Sequence, residues 1–156
     1  MASGRSRSDR MRSIEALSNR EAQDLAAQME SRAQAVRDAE SRLLELEEYL
    51  EGYVVAQTAR SQEGGVSAMQ LSETHIFLER LKQAVELQRE TVAQSRSAYE
   101  ASRARWIAQH VRTSALGSAV HRFEQEEARV DLLREQRSQD EIAARYHRPP
   151  EEEPAK

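Results

Sequence analysis

The sequence predicts an all-α fold, a long antiparallel two-helix coiled coil (a helical hairpin) in which helix two overhangs helix one. Apolar residues recur at alternating three- and four-residue steps both before and after the pair Gly64-Gly65. The composition is 32% charged and 4% aromatic over 156 residues, which leaves too few large apolar side chains to enclose a compact core. Two helices that each bury one stripe satisfy both observations.

Helix one is predicted over residues 13–58, after a disordered basic arm of residues 1–12. The arm is rich in Ser and Arg and has no large apolar stretch, and Ser13 is a plausible cap ahead of Ile14. Arg32 is the one polar residue on the predicted seam, where it could set the register, pair with a Glu of helix two or extend its charge to solvent. The seam positions of helix one are Ala22, Leu25, Met29, Arg32, Val36, Ala39, Leu43, Leu46, Leu50 and Tyr53.

A turn is predicted over residues 59–66, and helix two over residues 67–146. Ser67 and Gln70 have the spacing of a capping box, in which the side-chain oxygen of each residue accepts a hydrogen bond from the backbone N–H of the other. A Pro pair at 149–150 would end the helix, and residues 147–156 are predicted to be a disordered acidic tail. The seam of helix two continues through Leu71, Thr74, Leu78, Leu81, Val85, Gln88, Val92, Ser95, Tyr99, Ser102 and Trp106.

The overhang follows from the unequal lengths of the two predicted helices. If the chain reverses near Gln62 or Glu63, Tyr53 lies near Leu71, and helix two beyond about Ala108 has no partner in helix one. An unpartnered apolar stripe usually binds another protein. The alternative is that helix two bends or frays at Gly117, because an interior Gly costs about 1 kcal/mol of helix propensity. The stripe of the overhang consists of Leu116, Val120, Phe123 and Val130.

No pattern in the chain predicts an enzyme, a cofactor or a metal site. The four His residues are scattered, there is no Cys, and the carboxylate pairs lie on helix surfaces. Gly64-Gly65 lacks the Lys and Ser/Thr of a phosphate-binding loop. The net charge of −4 comes from interspersed Arg and Glu, and no stretch approaches the roughly 20 apolar residues that span a bilayer. We therefore expect a cytoplasmic protein that works by binding and does not bind nucleic acid.

Three stretches of the chain together resemble the flagellar FliJ family, over roughly residues 13–146. The first is the end of helix one, residues 39–53, with its Ala-Glu, Leu and Tyr residues. The second follows the turn, from Gly65-Val66-Ser67 to Gln88-Arg89, and includes Phe77 and Leu81. The third is the Arg-Glu-Gln-Arg segment at 134–137, followed by Asp140-Glu141-Ile142. Their order and spacing around the Gly break carry the resemblance.

The resemblance implies a stalk-like, non-enzymatic component of the bacterial flagellar type III export apparatus, with roles in flagellum assembly, motility and chemotaxis. It further implies binding to the export ATPase (FliI), to the export gate (FlhA) and to export chaperones, at the cytoplasmic face of the inner membrane, with membrane contact only through the gate. The overhang stripe would then contact the ATPase. By matching positions, the gate-binding residues would be Leu46, Tyr49, Tyr53, Phe77, Leu81 and Ala84.

Two alternatives remain open on the sequence. An injectisome stalk would share the shape but not the partner. A generic coiled-coil scaffold, or a weak nucleic-acid binder that uses the four Arg residues of the arm, would show salt-dependent DNA binding that is lost when residues 1–12 are deleted.

Overall fold

The computed structural model describes residues 6–147. Within them the chain forms two helices, α1 (Arg7–Glu63) and α2 (Ala68–Tyr146), and no strand. The two helices pack against each other, which confirms the predicted helical hairpin. The first part of the predicted arm (residues 1–5) and most of the acidic tail with the Pro pair (residues 148–156) lie outside the described residues.

The turn between the helices is formed by residues 64–67. Gly64 and Gly65 both have positive φ values, 82° and 89°, in the left-handed region that is readily accessible to glycine. The predicted capping box is confirmed, because the Ser67 N–H donates to Gln70 Oε1 at 3.0 Å and the Gln70 N–H donates to Ser67 Oγ at 3.2 Å. The glycine pair thus ends α1, and Ser67 starts α2.

α1 begins at Arg7, earlier than the predicted start at residue 13, and ends at Glu63, later than the predicted end at residue 58. The early start has a local cause that the sequence carried. Ser6 and Asp9 form a second capping box: the Asp9 N–H donates to Ser6 Oγ at 3.1 Å, and the Ser6 N–H donates to Asp9 Oδ2 at 3.3 Å. Part of the predicted disordered arm is therefore the first turns of the helix.

The helices divide into two units with their own internal contacts. The turn unit comprises residues 21–110, and the terminal unit comprises the described residues 6–20 and 111–147. The predicted seam of α2 is confirmed in the turn unit from Thr74 onward: Leu81, Val85, Val92 and Ser102 are buried, and the positions between them are partly buried. Its predicted first position, Leu71, is wrong, because 52% of that side chain's surface is exposed close to the turn.

The seam of α1 in the turn unit is also as predicted, with one exception. Arg32 is exposed, and the neighbouring Ala33 occupies the partly buried position. Ala39 is buried, and its backbone carbonyl accepts a 2.9 Å hydrogen bond from the Gln88 side chain on α2. A small residue at position 39 allows this close approach.

The terminal unit has a different seam. On α1 the inward positions are Ser8, Met11, Glu15 and Ser18, so Met11 alone is apolar. On α2 they remain largely apolar and keep the heptad spacing, through Thr113, Leu116, Val120, Phe123 and Glu127. α2 is continuous through Gly117, so the predicted alternative of a helix that frays there is wrong.

Candidate partner-binding surfaces

The six residues that the resemblance assigned to gate binding all lie in the turn unit, and the structure divides them into two groups. Leu81 is buried, whereas Leu46, Tyr53 and Ala84 are partly buried. Tyr49 and Phe77 have 57% and 40% of their surface exposed. Only these last two side chains present a large area to a partner without any rearrangement of the helices.

Phe77 is fixed in place by Tyr53. Their ring centroids lie 4.7 Å apart with an interplanar angle of 53°, a tilted arrangement that aromatic pairs prefer. Both rings line a shallow groove of about 400 Å³ between the helices, together with Gln57, Val66 and other side chains close to the turn. Tyr53 therefore supports Phe77 from the seam, and the exposed face of Phe77 stays available.

The chain close to the turn has two uncharged stretches, and among the described residues the only charged side chains that line the groove of Tyr53 and Phe77 are Arg60 and Glu73. Residues 52–59 and 64–72 contain no charged side chain. Exposed apolar patches on a protein surface often mark sites where another protein binds. We call Tyr49, Phe77 and these neighbours the turn patch, and its other large exposed members are Val54, Val55, Met69, Leu71 and Ile76.

Ion pairs between the helices flank the seam further from the turn. Arg89 on α2 pairs with Glu47 on α1 at 2.8 Å, and Arg96 pairs with Glu40 at 2.5 Å. The hydrogen bond to Glu47, followed by the charge of Glu86, raises the pKa of Arg89. All four partners of the two pairs are well exposed, so these pairs contribute mainly to the choice of register and little to stability.

The four residues predicted to form an exposed stripe lie in the terminal unit, and most of them are covered. Val120 has only 6% of its surface exposed, Leu116 and Phe123 are partly buried, and Val130 is 45% exposed. Helix two does overhang, but its hydrogen bonds with α1 reach Glu127, well beyond Ala108. Residues 131–146 of α2 are exposed.

The overhang is shorter than predicted because of the register. The reversal is centred on the glycine pair and not on Gln62 or Glu63, so Tyr53 meets Phe77 instead of Leu71. In the terminal unit Ser18 meets Thr113, and the early start of α1 extends its contact with α2 further still.

Polar contacts hold α1 against α2 in the terminal unit. The Glu127 carboxylate accepts the Ser8 N–H at 3.0 Å and the Ser8 hydroxyl at 2.5 Å. The hydroxyls of Ser18 and Thr113 share a hydrogen bond of 2.7 Å. The N–H groups of a first helical turn have no intrahelical acceptor, so Glu127 caps α1 from the other helix. Hydrogen bonds from the Ser8 side chain and backbone lower the pKa of Glu127.

Two Arg residues of the predicted basic arm also contact α2. Arg12 pairs with Glu124 at 2.6 Å, and the guanidinium of Arg7 lies 4.0 Å from the ring centroid of Phe123. The hydrogen bond and the charge of Glu124 raise the pKa of Arg12. These contacts were not predicted. The signal that could have revealed them is that most of the heptad positions within the segment 8–18 are polar.

The remaining titratable residues form no recognisable catalytic or metal-binding arrangement in the part of the chain that the structure describes. No group of three or more His, Asp or Glu residues there could hold a metal ion. His110 stacks on Trp106 with ring centroids 5.2 Å apart, and His121 hydrogen-bonds to Gln125. Neither helix, over the residues described, contains a segment apolar and long enough to cross a membrane.

Comparison with known proteins gives one match. The family model described as "Flagellar FliJ protein" matches residues 7–152, nearly the whole chain. A search of curated proteins and a search of solved structures each found no match.

Proposed function

Because the chain belongs to the FliJ family of coiled-coil proteins related to flagellar export, we propose that it is a non-enzymatic export component that works by binding. Its partners in this proposal are the export gate FlhA, the export ATPase FliI and export chaperones. It would act in the cytoplasm and reach the inner membrane only through the gate, and flagellum assembly and motility would depend on it.

The turn patch is the observation that supports gate binding most directly. A two-helix coiled coil can bury large apolar side chains on its seam, yet here Tyr49 and Phe77 are both exposed, and Phe77 is supported by Tyr53. Binding hot spots are enriched in aromatic residues of this kind, because they contribute a large contact area at little entropic cost. We therefore assign Tyr49 and Phe77 as the main gate contacts, with Leu46, Tyr53, Leu81 and Ala84 holding the helices that present them.

A binding assay with the cytoplasmic part of FlhA tests this assignment. The Tyr49→Ala/Phe77→Ala protein should lose at least about tenfold in affinity, which is a typical effect of hot-spot truncation. A matched control is Ile107→Ala/Val111→Ala, which also removes two exposed apolar side chains, both of them on α2 and far from the turn. Equal binding by the two variants, with unchanged helicity, would remove the turn patch from the proposal.

Contact with the export ATPase is proposed on α2 of the terminal unit, at Leu116, Val120, Phe123 and Val130. Of these residues, Val130 is the one that a partner reaches without moving α1. Titration of the protein into FliI should give a saturable rise in ATP hydrolysis, because a ligand that prefers the assembled ring stabilises it by mass action.

Val130→Asp tests where that contact lies. It should reduce the activation of FliI, whereas Val54→Asp, a change at a turn-unit valine of similar exposure (41% against 45%), should not. A flat response with the unaltered protein, and no co-elution with FliI, would contradict the ATPase part of the proposal.

A further inference from the structure

The two sides of the terminal unit's seam do not match in polarity. We call residues 7–18 of α1 the cover segment, and Leu116, Val120 and Phe123 of α2 the covered seam. The cover segment directs Ser8, Glu15 and Ser18 inward together with a single apolar residue, Met11, whereas Ile14 and Leu17 are exposed. An amphipathic helix normally has the opposite arrangement, with the apolar side chains toward its partner helix.

Gly117 shows how the mismatch is accommodated on α2. A side chain at position 117 would place its Cβ only 3.0 Å from Glu15 Oε1. The glycine therefore leaves room on the seam for the carboxylate of Glu15. An apolar side chain at that position of α1 would bury more apolar surface against Leu116 and Val120.

The contacts that hold the cover segment lie mainly at its polar groups. They are the hydrogen bonds of Ser8 to Glu127 and of Ser18 to Thr113, and the ion pair of Arg12 with Glu124. The exposed ion pair adds little to stability, and the hydrogen bonds of the buried Ser8 and Ser18 contribute only modestly, because the same groups bond to water when the segment opens. Segments with few buried apolar contacts are also the ones that open locally at low cost.

From this mismatch we propose that the covered seam is a docking surface for an amphipathic helix of a partner protein, which displaces the cover segment. The partner helix would carry large apolar side chains at the positions that Glu15 and Ser18 occupy, and basic side chains that replace Arg7 over Phe123 and Arg12 beside Glu124. Such a helix buries more apolar surface against α2 than the cover segment does, and it keeps the pairing with Glu124.

This inference deepens the proposed contact of the same α2 residues with the ATPase, and it rests on that function only for the identity of the partner. The docking surface itself can be tested with a synthetic helix. A failure of that test leaves activation of FliI through Val130 unaffected, so the two failures are distinguishable.

The probe is a fluorescent peptide of residues 6–20 that carries Glu15→Leu and Ser18→Leu, and the control peptide has the natural sequence. The protein is the full chain with Ser18→Cys and Thr113→Cys, whose parent hydroxyl groups lie 2.7 Å apart. Because the natural chain has no Cys, oxidation gives one disulfide that locks the cover segment to α2.

The reduced protein should bind the leucine peptide, as measured by fluorescence anisotropy, at least about tenfold more tightly than the oxidised protein does. The natural peptide should bind the reduced protein more weakly than the leucine peptide. Equal binding to both redox states, or no binding to either, would overturn the proposal.

A second measurement does not depend on the disulfide. A Cys at position 120 reacts with a thiol reagent only when the cover segment leaves α2, whereas a Cys at position 92 is buried on the same helix within the turn unit. The parent valines have 6% and 5% of their surface exposed, so Val120→Cys and Val92→Cys form a matched pair. We expect Val120→Cys to react at least about tenfold faster. Equal rates would show that the cover segment is held as firmly as the turn unit.

Discussion

A double-mutant cycle on Tyr53 and Phe77 tests how the turn patch is supported. The variants are Tyr53→Ala, Phe77→Ala and the double variant. With ring centroids 4.7 Å apart, such a pair contributes about 0.5–1.5 kcal/mol beyond area burial. Because 40% of Phe77 is exposed, the coupling should fall in the lower half of that range, at about 0.5–1 kcal/mol.

The assay is urea unfolding followed by the helical circular-dichroism signal, with the free energy of unfolding extrapolated to water. The control cycle pairs Tyr53→Ala with Ile76→Ala, because Ile76 is the exposed neighbour of Phe77 in sequence. The control changes should be additive within about 0.3–0.5 kcal/mol. A coupling no larger than that for Tyr53 and Phe77 would refute the argument that the seam residue holds the exposed ring in place.

Three further outcomes follow from the structure. Gly117→Ala should raise the free energy of unfolding by about 0.5–1 kcal/mol in a urea titration, because the flexible Glu15 side chain can move to solvent while the helix gains propensity; a loss would mean that Glu15 cannot move. The pKa of Glu127 is lower in the folded protein than its ordinary value of 4.5, so the contact with Ser8 stabilises the fold fully above that pH, and this stabilisation is lost as the pH falls through the lower folded-state pKa; on acidification through this range, the melting temperature should fall more for the natural protein than for Glu127→Gln. Ser67→Ala should cost about 1 kcal/mol in the same titration, since it removes the cap of α2, and an unchanged value would show that the cap does not limit stability.

The seam of α2 could be predicted because its heptad spacing holds from Thr74 to Glu127 without an interruption. The capping box at Ser67 was predictable for a similar reason, since it depends only on local spacing. The equivalent box at Ser6 and Asp9 was present in the sequence as well. It was missed because the four Arg residues of that region were interpreted as a sign of disorder.

The register could not be predicted with the same accuracy. An error of a few residues in the position of the reversal changes every contact between the helices. For this reason Val120 was predicted to be exposed, whereas the observed register buries it. The contacts of Ser8 and Ser18 have a different origin. They join polar residues of α1 to residues of α2 that are far away in the sequence. No local sequence pattern predicts such pairs, so they become visible only in the folded structure.

The site residues were predictable as a group but not in their roles. The resemblance indicated six positions near the turn, and spacing alone placed Leu46, Tyr53 and Leu81 on the seam. The outward direction of Tyr49 and Phe77 was visible as a one-step displacement from that seam. The support of Phe77 by Tyr53 required the three-dimensional register.

The bond between Ser8 and Glu127 joins residues 119 positions apart in the chain, which has a consequence for synthesis. At roughly 5–20 residues per second, a ribosome needs about 6–24 s after adding Ser8 before it adds Glu127. Residues that pair close to the glycine turn are separated by far fewer positions in the chain. We therefore expect pairing to start near the turn while the later part of α2 is still being translated. The first turns of α1 are therefore expected to be the last part of that helix to pair, and a nascent chain exposes them to solvent for longer than the segments that pair closer to the turn.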